Sequence, residues 1–225
     1  MSARLVGCLL AAILTLAPVV PGIGEFEDDG REDLVSRYVR EGKVWEPHVV
    51  AALREFLHDG CVAVDAGAHI GFHTVTMAKL VSPGMVLAFE PQGDVHAELQ
   101  RNLQLNGLTN VLPLRYALTD QNRLMEMEPR GKRAGIVRVG HGGEAIVGRT
   151  LDSFPISGLC LMKIDVEGHM VEVLRGAKET ILREKPVIVI EIGPPKMAAT
   201  RAVLEEYGYD LEHLGSIDFL ARPVQ

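Results

Sequence analysis

Apolar residues follow two different spacings along this chain, and the two spacings alternate in a regular order. From Asp33 to His58 the apolar positions recur at helical spacing, with breaks near Gly42 and Pro47, and they predict two helices. Short apolar runs then predict buried strands: the run that ends at Asp65, followed by 85–89, 111–116, 159–164 and 186–190. Because helical spacing returns between these runs, the pattern predicts an α/β fold with a doubly wound, mostly parallel sheet.

The pattern changes in two places after residue 120. Residues 122–149 break into short alternating pieces with glycine-rich turns, which predict an inserted hairpin or loop region. Near the C-terminus, YDLEHL and IDFLA flank a Gly-Ser turn and predict an antiparallel pair at the sheet edge. The helices that follow the strands are predicted at 72–80, 94–105, 171–182 and 198–207. Since 225 residues suit one well-buried core, we expect residues 27–225 to form a single domain.

Residues 1–26 form an apolar N-terminal segment that allows three interpretations. The stretch from 5 to 24 carries no charge, follows Arg4 and is closed by acids from Glu25 onward, which is typical of a signal peptide or an anchor. Pro18 and Pro21 interrupt its second half, so an apolar arm packed on the domain is the third interpretation. Membrane contact through residues 5–24 therefore stays open.

Composition excludes several classes of function. The chain has 30 acids against 23 bases and a formal charge of −7, so it is not expected to bind nucleic acid. Its three cysteines, Cys8, Cys61 and Cys160, lie far apart, and two of them sit inside apolar runs where a thiol behaves as a small hydrophobe. We therefore predict neither a disulfide framework nor a zinc site.

Acidic residues stand at four of the five predicted strand ends, at Asp65, Glu90, Asp165 and Glu191. Ligands of open α/β sheets bind outside the carboxyl ends of the strands, so these positions are the first candidates for a binding site. A carboxylate after the second strand can accept hydrogen bonds from both hydroxyls of a ribose. Glu90 is therefore the predicted ribose ligand.

The turn after the first strand indicates a cofactor without a pyrophosphate. Gly67 and Gly71 leave room for a ligand to approach the backbone. Ala68 and His69 follow Gly67, however, and this departs from the GxGxxG fingerprint that recognises a dinucleotide. A cofactor with an amino-acid tail and no phosphate suits the turn better, and S-adenosylmethionine matches that description.

Five segments in this order carry a resemblance to a known family: VDAGAHIGFHT at 64–74, AFEP at 88–91, RNLQLNGLTNV at 101–111, TLDSF at 150–154 and KIDVEGHMVEVLRGA at 163–177. Over about residues 44–193 the chain resembles the FkbM family of methyltransferases. The resemblance implies a class I, Rossmann-like sheet of seven strands with an antiparallel C-terminal edge strand. It also implies S-adenosylmethionine-dependent O-methylation of a hydroxyl on a sugar, a glycolipid or a polyketide-like small molecule.

The resemblance transfers site residues one by one. The matching positions are Asp65, Gly67 and Gly71 in the cofactor turn, Glu90 as the ribose acid, and Asp165 at the fourth strand end. Two positions depart: His69 stands where members commonly have Asn, and Met170 where they have an acid. The first change bears on contacts to the methionine tail of the cofactor, and the second on an active-site carboxylate. The predicted cofactor-binding residues are Glu46, Asp65, Gly67, His69, Gly71, Glu90 and Asp120.

Methyl transfer from a sulfonium requires an aligned acceptor oxygen and a group that takes its proton. Asp165, Glu167 and His169 are the predicted catalytic residues, with His169 as the hypothetical general base and Asp165 positioning acceptor or cofactor. Two carboxylates and a histidine can also bind Mg²⁺ or Zn²⁺, so metal assistance is an alternative, although we predict no metal. His141 and Trp45 are expected near the entrance to the cofactor site.

A catalytically inactive S-adenosylmethionine-binding protein is the alternative function, because His69 and Met170 both depart from the family pattern. The expected partner is a small-molecule or glycan substrate, and the sequence indicates no oligomeric state. Arg4 before the apolar run favours transfer of the domain across a membrane, whereas S-adenosylmethionine is made in the cytosol. We expect a cytoplasmic domain, with membrane association or a secretory signal as alternatives.

Overall fold

The computed structural model describes residues 17–28, 30–127 and 144–224. Its strands, in chain order, are β1 (Val19–Val20), β2 (Gly24–Glu25), β3 (Val62–Ala66), β4 (Met85–Phe89), β5 (Val111–Leu114), β6 (Ala117–Leu118), β7 (Arg123–Met127), β8 (Glu144–Arg149), β9 (Leu159–Ile164), β10 (Val187–Glu191), β11 (Tyr209–Gly215) and β12 (Asp218–Pro223). Its helices are α1 (Leu34–Arg40), α2 (Pro47–Phe56), α3 (Phe72–Val81), α4 (Gly93–Leu105), α5 (Met170–Gly176), α6 (Lys178–Glu184) and α7 (Met197–Glu206).

The central sheet contains seven of the described strands, in the order β11-β12-β10-β9-β3-β4-β5. The neighbours from β10 to β5 pair in parallel, and β12 runs antiparallel to both β10 and β11. The predicted doubly wound α/β fold with an antiparallel strand near the C-terminus is confirmed. The structure adds one detail to the prediction. Because the β11–β12 hairpin folds back onto β10, β12 lies inside the sheet and β11 forms its edge.

Both faces of the sheet are covered by helices, as a parallel sheet requires. Successive side chains of a strand point to opposite faces, and in β3 this places Ala63 and Val64 in two different apolar clusters. Ala63 packs with Leu53 of α2 and Met77 of α3. Val64 belongs to the cluster that α5, α6 and α7 complete. The strand ends are thereby held in fixed positions at one edge of the core.

The helix predicted at 171–182 is interrupted, and the prediction of one continuous helix is wrong. α5 ends at Gly176 and α6 begins at Lys178. A Cβ on Gly176 would lie 1.9 Å from the carbonyl oxygen of Thr119, so the backbone of α5 approaches another backbone at this point. The apolar spacing of the segment contains no sign of this contact, because Thr119 lies far away in the sequence.

An N-terminal arm, residues 17–28, packs against α3 and α4. Ile23 is buried, and the ring of Phe26 stacks on Phe72 with 5.5 Å between the centroids. Asn102 accepts a hydrogen bond from the backbone N–H of Glu27 at 2.7 Å, and Asn106 donates to the carbonyl of Glu25 at 2.7 Å. Two asparagines of the RNLQLNGLTNV segment therefore hold the arm. Residues 1–16, the first part of the apolar segment, lie outside the described residues.

The region for which the sequence predicts an inserted hairpin or loop contributes two paired strands. β7 and β8 are antiparallel, and β6 pairs with the other side of β8. Residues 128–143 between β7 and β8 lie outside the described residues. In the described parts of the chain, no helix combines the length and the apolar character needed to cross a bilayer.

Cys61 and Cys160 form a disulfide, and the prediction of no disulfide is wrong. Their sulfur atoms are bonded, and 99 positions separate them in the sequence. Cys61 precedes β3, and Cys160 sits where the β3–β9 register shifts, so the pairing of these two strands brings the cysteines together. Disulfides persist mainly in oxidising compartments, so the bond weighs against the expected cytoplasmic location.

Reduction of this disulfide is expected to lower the free energy of unfolding by about 2–5 kcal/mol. The disulfide closes a long loop in the unfolded chain, and reduction gives the unfolded chain back the conformational entropy that this loop closure removes. Urea unfolding with and without reductant measures the difference. Cys160→Ser is the matched control, since the reductant should not destabilise this variant further. Alkylation of both cysteines in the untreated native protein would contradict the disulfide.

Candidate active site

The carboxyl ends of β3, β4, β9 and β10 open into one cavity of about 530 Å³. This volume lies within the range of about 300–1000 Å³ that is usual for small-molecule sites. Three other parts of the chain complete its walls. These are Leu34 at the start of α1, Trp45 in the segment before α2, and Ile146 in β8 of the three-stranded sheet β6-β8-β7. The sheet geometry therefore brings three of the four predicted strand-end acids, Glu90, Asp165 and Glu191, to a single site.

The turn after β3 is shaped by its contact with the end of β9. Gly67 has a φ of 82°, and a Cβ there would lie 1.8 Å from the carbonyl oxygen of Asp165. His69 has a φ of 50°, a conformation that is uncommon for residues other than glycine. Gly67 and His69 line the cavity. Gly71 is the N-cap of α3, and a Cβ there would lie 2.6 Å from Leu99 Cδ1, so this glycine allows close packing behind the cavity wall.

Glu90 follows β4 and is fixed by backbone donors on both sides. Its Oε2 accepts the N–H of His69 at 3.0 Å, and its Oε1 accepts the N–H of Gln92 at 2.9 Å. The residue is almost fully buried and lines the cavity. The predicted ribose acid is therefore held against the predicted cofactor turn.

A buried lysine links two of the strand-end acids. Lys163 Nζ lies 3.4 Å from Asp65 Oδ1 and 3.3 Å from Asp165 Oδ2. Burial alone would lower the pKa of Lys163, but the carboxylates of Asp65 and Asp165 outweigh it and raise this pKa above its usual value. Asp65 is fully buried, receives a hydrogen bond from Thr74 Oγ1 at 2.6 Å and does not line the cavity. Asp165 does line it, and Lys163 joins this residue to Asp65 behind the wall.

The three predicted catalytic residues, Asp165, Glu167 and His169, all line the cavity. His169 Nε2 lies 3.0 Å from Thr119 Oγ1, and its Nδ1 lies 3.6 Å from Glu172 Oε2. Burial lowers the pKa of His169, against the opposing effect of Glu172 and Asp120. Nε2 therefore has a hydrogen-bond partner, whereas Nδ1 lies only within ion-pair distance of Glu172.

Asp120 and Met170 lie outside the cavity lining. Asp120 pairs with Arg123, with 3.3 Å between Oδ1 and Nη2. Met170 is buried in the main apolar cluster at the start of α5. An acid at this position would enter the core, so the departure from the family pattern at 170 does not remove a carboxylate from the cavity wall. The expectation that it did is wrong.

Three carboxylates lie close together beside β10, and the sequence does not predict this cluster. One oxygen of each of Glu46, Glu191 and Asp218 lies within 4.8 Å of the others. His73 Nε2 lies 2.9 Å from Glu46, and His48 Nε2 lies 2.7 Å from Asp218. Asp218 reaches this cluster because it pairs opposite Glu191 in the β10–β12 register. The sequence alone does not reveal that register.

Two groups of three metal-type side chains occur within the described ranges. His58, Cys61 and Cys160 form one group, but its sulfurs are joined in the disulfide. Glu46, Glu191 and Asp218 form the other, and two of its carboxylates are bound by histidines. Asp165, Glu167 and His169, which raised the metal alternative, do not form such a group among the described residues. His141 lies outside the described residues.

The sequence profile of the methyltransferase FkbM domain matches residues 65–211, more than half of the chain. The chain belongs to the FkbM methyltransferase family. Its curated relatives include methyltransferase sdnD of Sordaria araneosa, 31% identical over 66% of this chain and 73% of the relative. Hexuronic acid methyltransferase AglP of Haloferax volcanii is 29% identical over 65% of this chain and 62% of the relative. The chain thus matches less than two thirds of the length of AglP.

Solved structures show the same fold at low identity. An FkbM methyltransferase from Methylobacillus flagellatus has a TM-score of 0.54 at 16% identity, over 84% of this chain and 52% of that one. A SAM-dependent O-methyltransferase from Thermotoga maritima has a TM-score of 0.53 at 13% identity, over 80% of this chain and 64% of that one. The FkbM-family chain therefore has the class I methyltransferase fold, and its cofactor is S-adenosylmethionine.

The residues of the cavity suit this cofactor. S-adenosylmethionine carries a sulfonium charge, and the cavity wall is rich in carboxylates, which attract a cation. Phe89 and Tyr116 add aromatic surface for the apolar parts of a ligand. Glu90 presents a fixed carboxylate where a ribose diol can donate to it.

Proposed function

We propose that this FkbM-family methyltransferase acts on a hydroxyl oxygen of a sugar, a glycolipid or a polyketide-like small molecule. The observation that carries the proposal is the fixed carboxylate of Glu90 beside the glycine turn, in the same cavity as the acids that follow β9 and β10. The name of the relative AglP, a hexuronic acid methyltransferase, supports a sugar-type acceptor.

We assign cofactor binding to the β3–β4 side of the cavity. Gly67, His69 and Glu90 line it there, and Trp45 and Glu46 line it from the segment before α2. Asp65 and Gly71 support these groups from behind, through Lys163 and through the packing of α3. Asp120 does not line the cavity, but its carboxylate favours the protonated form of His169 and so works against the lowering of the pKa of His169 by burial.

We assign acceptor binding to the β9–β10 side of the cavity. S-adenosylmethionine supplies the methyl group as a sulfonium, so the protein must align an acceptor oxygen with it and accommodate the acceptor's proton. Asp165 is held in place by Lys163, and Glu167 and His169 follow it along the same wall. These groups can accept hydrogen bonds from the hydroxyls of an acceptor and so fix its orientation.

Glu90→Ala is expected to weaken S-adenosylmethionine binding by about 10- to 100-fold, because the ribose loses a charged hydrogen-bond acceptor. Isothermal titration calorimetry measures the dissociation constant. Glu205→Ala, which removes an exposed carboxylate of α7 away from the cavity, is the matched control and should bind like the wild type. Equal affinities for all three proteins would contradict the assignment of Glu90.

A further inference from the structure

Glu191 differs from the other acids that line the cavity in its lack of a partner. Glu46 is bound by a histidine, Glu90 by two backbone donors, and Asp165 by Lys163. Within residues 17–28, 30–127 and 144–224, no hydrogen-bond donor or cation contacts the carboxylate of Glu191. An acid that faces a cavity without a partner is free to exchange a proton with a ligand.

The surroundings of Glu191 oppose a negative charge on it. Burial has the largest effect, and the carboxylates that face it add to this effect, so that its pKa is raised to about 8. In the ligand-free protein at pH 7, Glu191 is therefore mostly protonated. The facing acids are Asp165, Glu167, Asp218 and Glu46, and the cationic or titratable groups bound to them are Lys163 on Asp165, His48 on Asp218 and His73 on Glu46.

We propose that Glu191 takes the proton of the acceptor hydroxyl, and that it becomes ionised when the positively charged methyl donor enters the cavity. The inference rests on the proposed function. An added positive charge favours the ionised form of a nearby carboxyl group, so Glu191 releases its proton to solvent on cofactor binding. Because S-adenosylhomocysteine has a neutral thioether, it lacks this effect.

The atoms and charges of the transfer balance with Glu191 as the proton acceptor. The acceptor O–H bond breaks and its proton goes to the Glu191 carboxylate. A bond forms between the acceptor oxygen and the methyl carbon, and the electron pair of the broken carbon–sulfur bond stays on sulfur. The sulfonium charge and the carboxylate charge disappear together, which leaves a neutral thioether beside a protonated Glu191.

His169 is the other candidate for this role, but its surroundings suit it less. Its Nε2 is hydrogen-bonded to Thr119 Oγ1 at 3.0 Å, so an acceptor hydroxyl that reached this nitrogen would have to displace a protein partner. Its Nδ1 lies 3.6 Å from the carboxylate of Glu172, beside which it would be the weaker proton acceptor. Glu191 needs no such displacement. In this scheme His169 helps to orient the acceptor at the cavity wall, and Glu191 is the catalytic residue.

Calorimetry of cofactor binding tests the inference without knowledge of the acceptor. Titrations at pH 7 in two buffers of different ionisation enthalpy give the number of protons released, and EDTA keeps divalent cations off the carboxylates. We expect S-adenosylmethionine to release roughly half a proton or more per molecule bound, and S-adenosylhomocysteine to release far less. Glu191→Gln should bind S-adenosylmethionine with little proton release. Glu205→Gln, which neutralises an exposed carboxylate of α7 away from the cavity, is the matched control and should keep the wild-type release.

Equal proton release by the two ligands, or release that persists in Glu191→Gln, would overturn the inference. Failure of the proposed function gives a different result. In that case the wild type methylates no hydroxyl compound, even though S-adenosylmethionine binding releases protons as predicted. For any hydroxyl compound that the wild type methylates, Glu191→Gln should lose about 100-fold or more in kcat. The wild-type kcat/KM for S-adenosylmethionine should also rise with pH up to about pH 8, the range in which Glu191 of the ligand-free protein ionises. A Glu191→Gln variant that keeps the wild-type kcat would overturn the role of Glu191 as proton acceptor.

Discussion

Lys163→Met is expected to lower the free energy of unfolding by about 3–5 kcal/mol, because it removes one partner of a buried ion pair. Lys163 and Asp65 are both buried, and the variant leaves the Asp65 carboxylate inside the core without its cation. Urea unfolding at pH 7 measures the loss. The same substitution should also displace Asp165, which Lys163 holds at the cavity wall.

Lys178→Met is the matched control for this prediction. Lys178 pairs with Glu206 at 2.7 Å, but both side chains are exposed, and exposed ion pairs contribute little to stability. A second variant, Asp65→Asn combined with Lys163→Met, should recover part of the loss, since neither member of the buried pair then carries a charge. If Lys163→Met were no more destabilising than Lys178→Met, the buried pair would not be the link between the strand ends.

Gly67→Ala is expected to destabilise the protein by about 3 kcal/mol or more, since the new methyl group would overlap the backbone of the neighbouring strand end. The Cβ would lie 1.8 Å from the carbonyl oxygen of Asp165, and a backbone atom cannot move aside as a flexible side chain can. The positive φ of 82° adds strain for any residue with a Cβ. Thermal or urea unfolding measures the effect.

Gly107→Ala separates the overlap from the strain. Gly107 also has a positive φ, of 63°, but no atom lies within 4 Å of its added Cβ. It should therefore lose only about 1–2 kcal/mol, the cost of the left-handed conformation alone. Equal losses in the two variants would mean that the cofactor turn and the end of β9 are farther apart than the structure places them.

The sequence predicts the parts of the fold that depend on local spacing. Alternating strand and helix patterns identify the sheet, and the rule that ligands bind at the carboxyl ends of strands selects Glu90 and Asp165. Both line the cavity. Asp65 follows the same rule but lies behind the wall, because its partner Lys163 is on the adjacent strand and not in the turn.

The features that the sequence does not predict depend on which strands become neighbours. Cys61 meets Cys160 because β3 pairs with β9, and Asp218 meets Glu191 because β12 pairs with β10. The break after Gly176 lies where α5 approaches the backbone of Thr119. Each is a long-range contact between residues that are far apart in the chain, and neither spacing nor composition contains that information. The sequence identifies Glu191 as a strand-end acid, but only the structure shows that the other cavity acids have partners and Glu191 has none among the described residues.

Transfer of a labelled methyl group tests the central claim most directly. The protein is incubated with S-adenosylmethionine that carries ¹³C in the methyl group, together with monosaccharides, uronic acids, glycolipids and polyketide-like alcohols, and the products are examined by ¹³C NMR and mass spectrometry. The proposed function predicts a labelled methyl ether on at least one hydroxyl compound, formed in equal amount with S-adenosylhomocysteine. Label found on nitrogen, carbon or sulfur, or tight cofactor binding with no transfer to any hydroxyl compound, would contradict it.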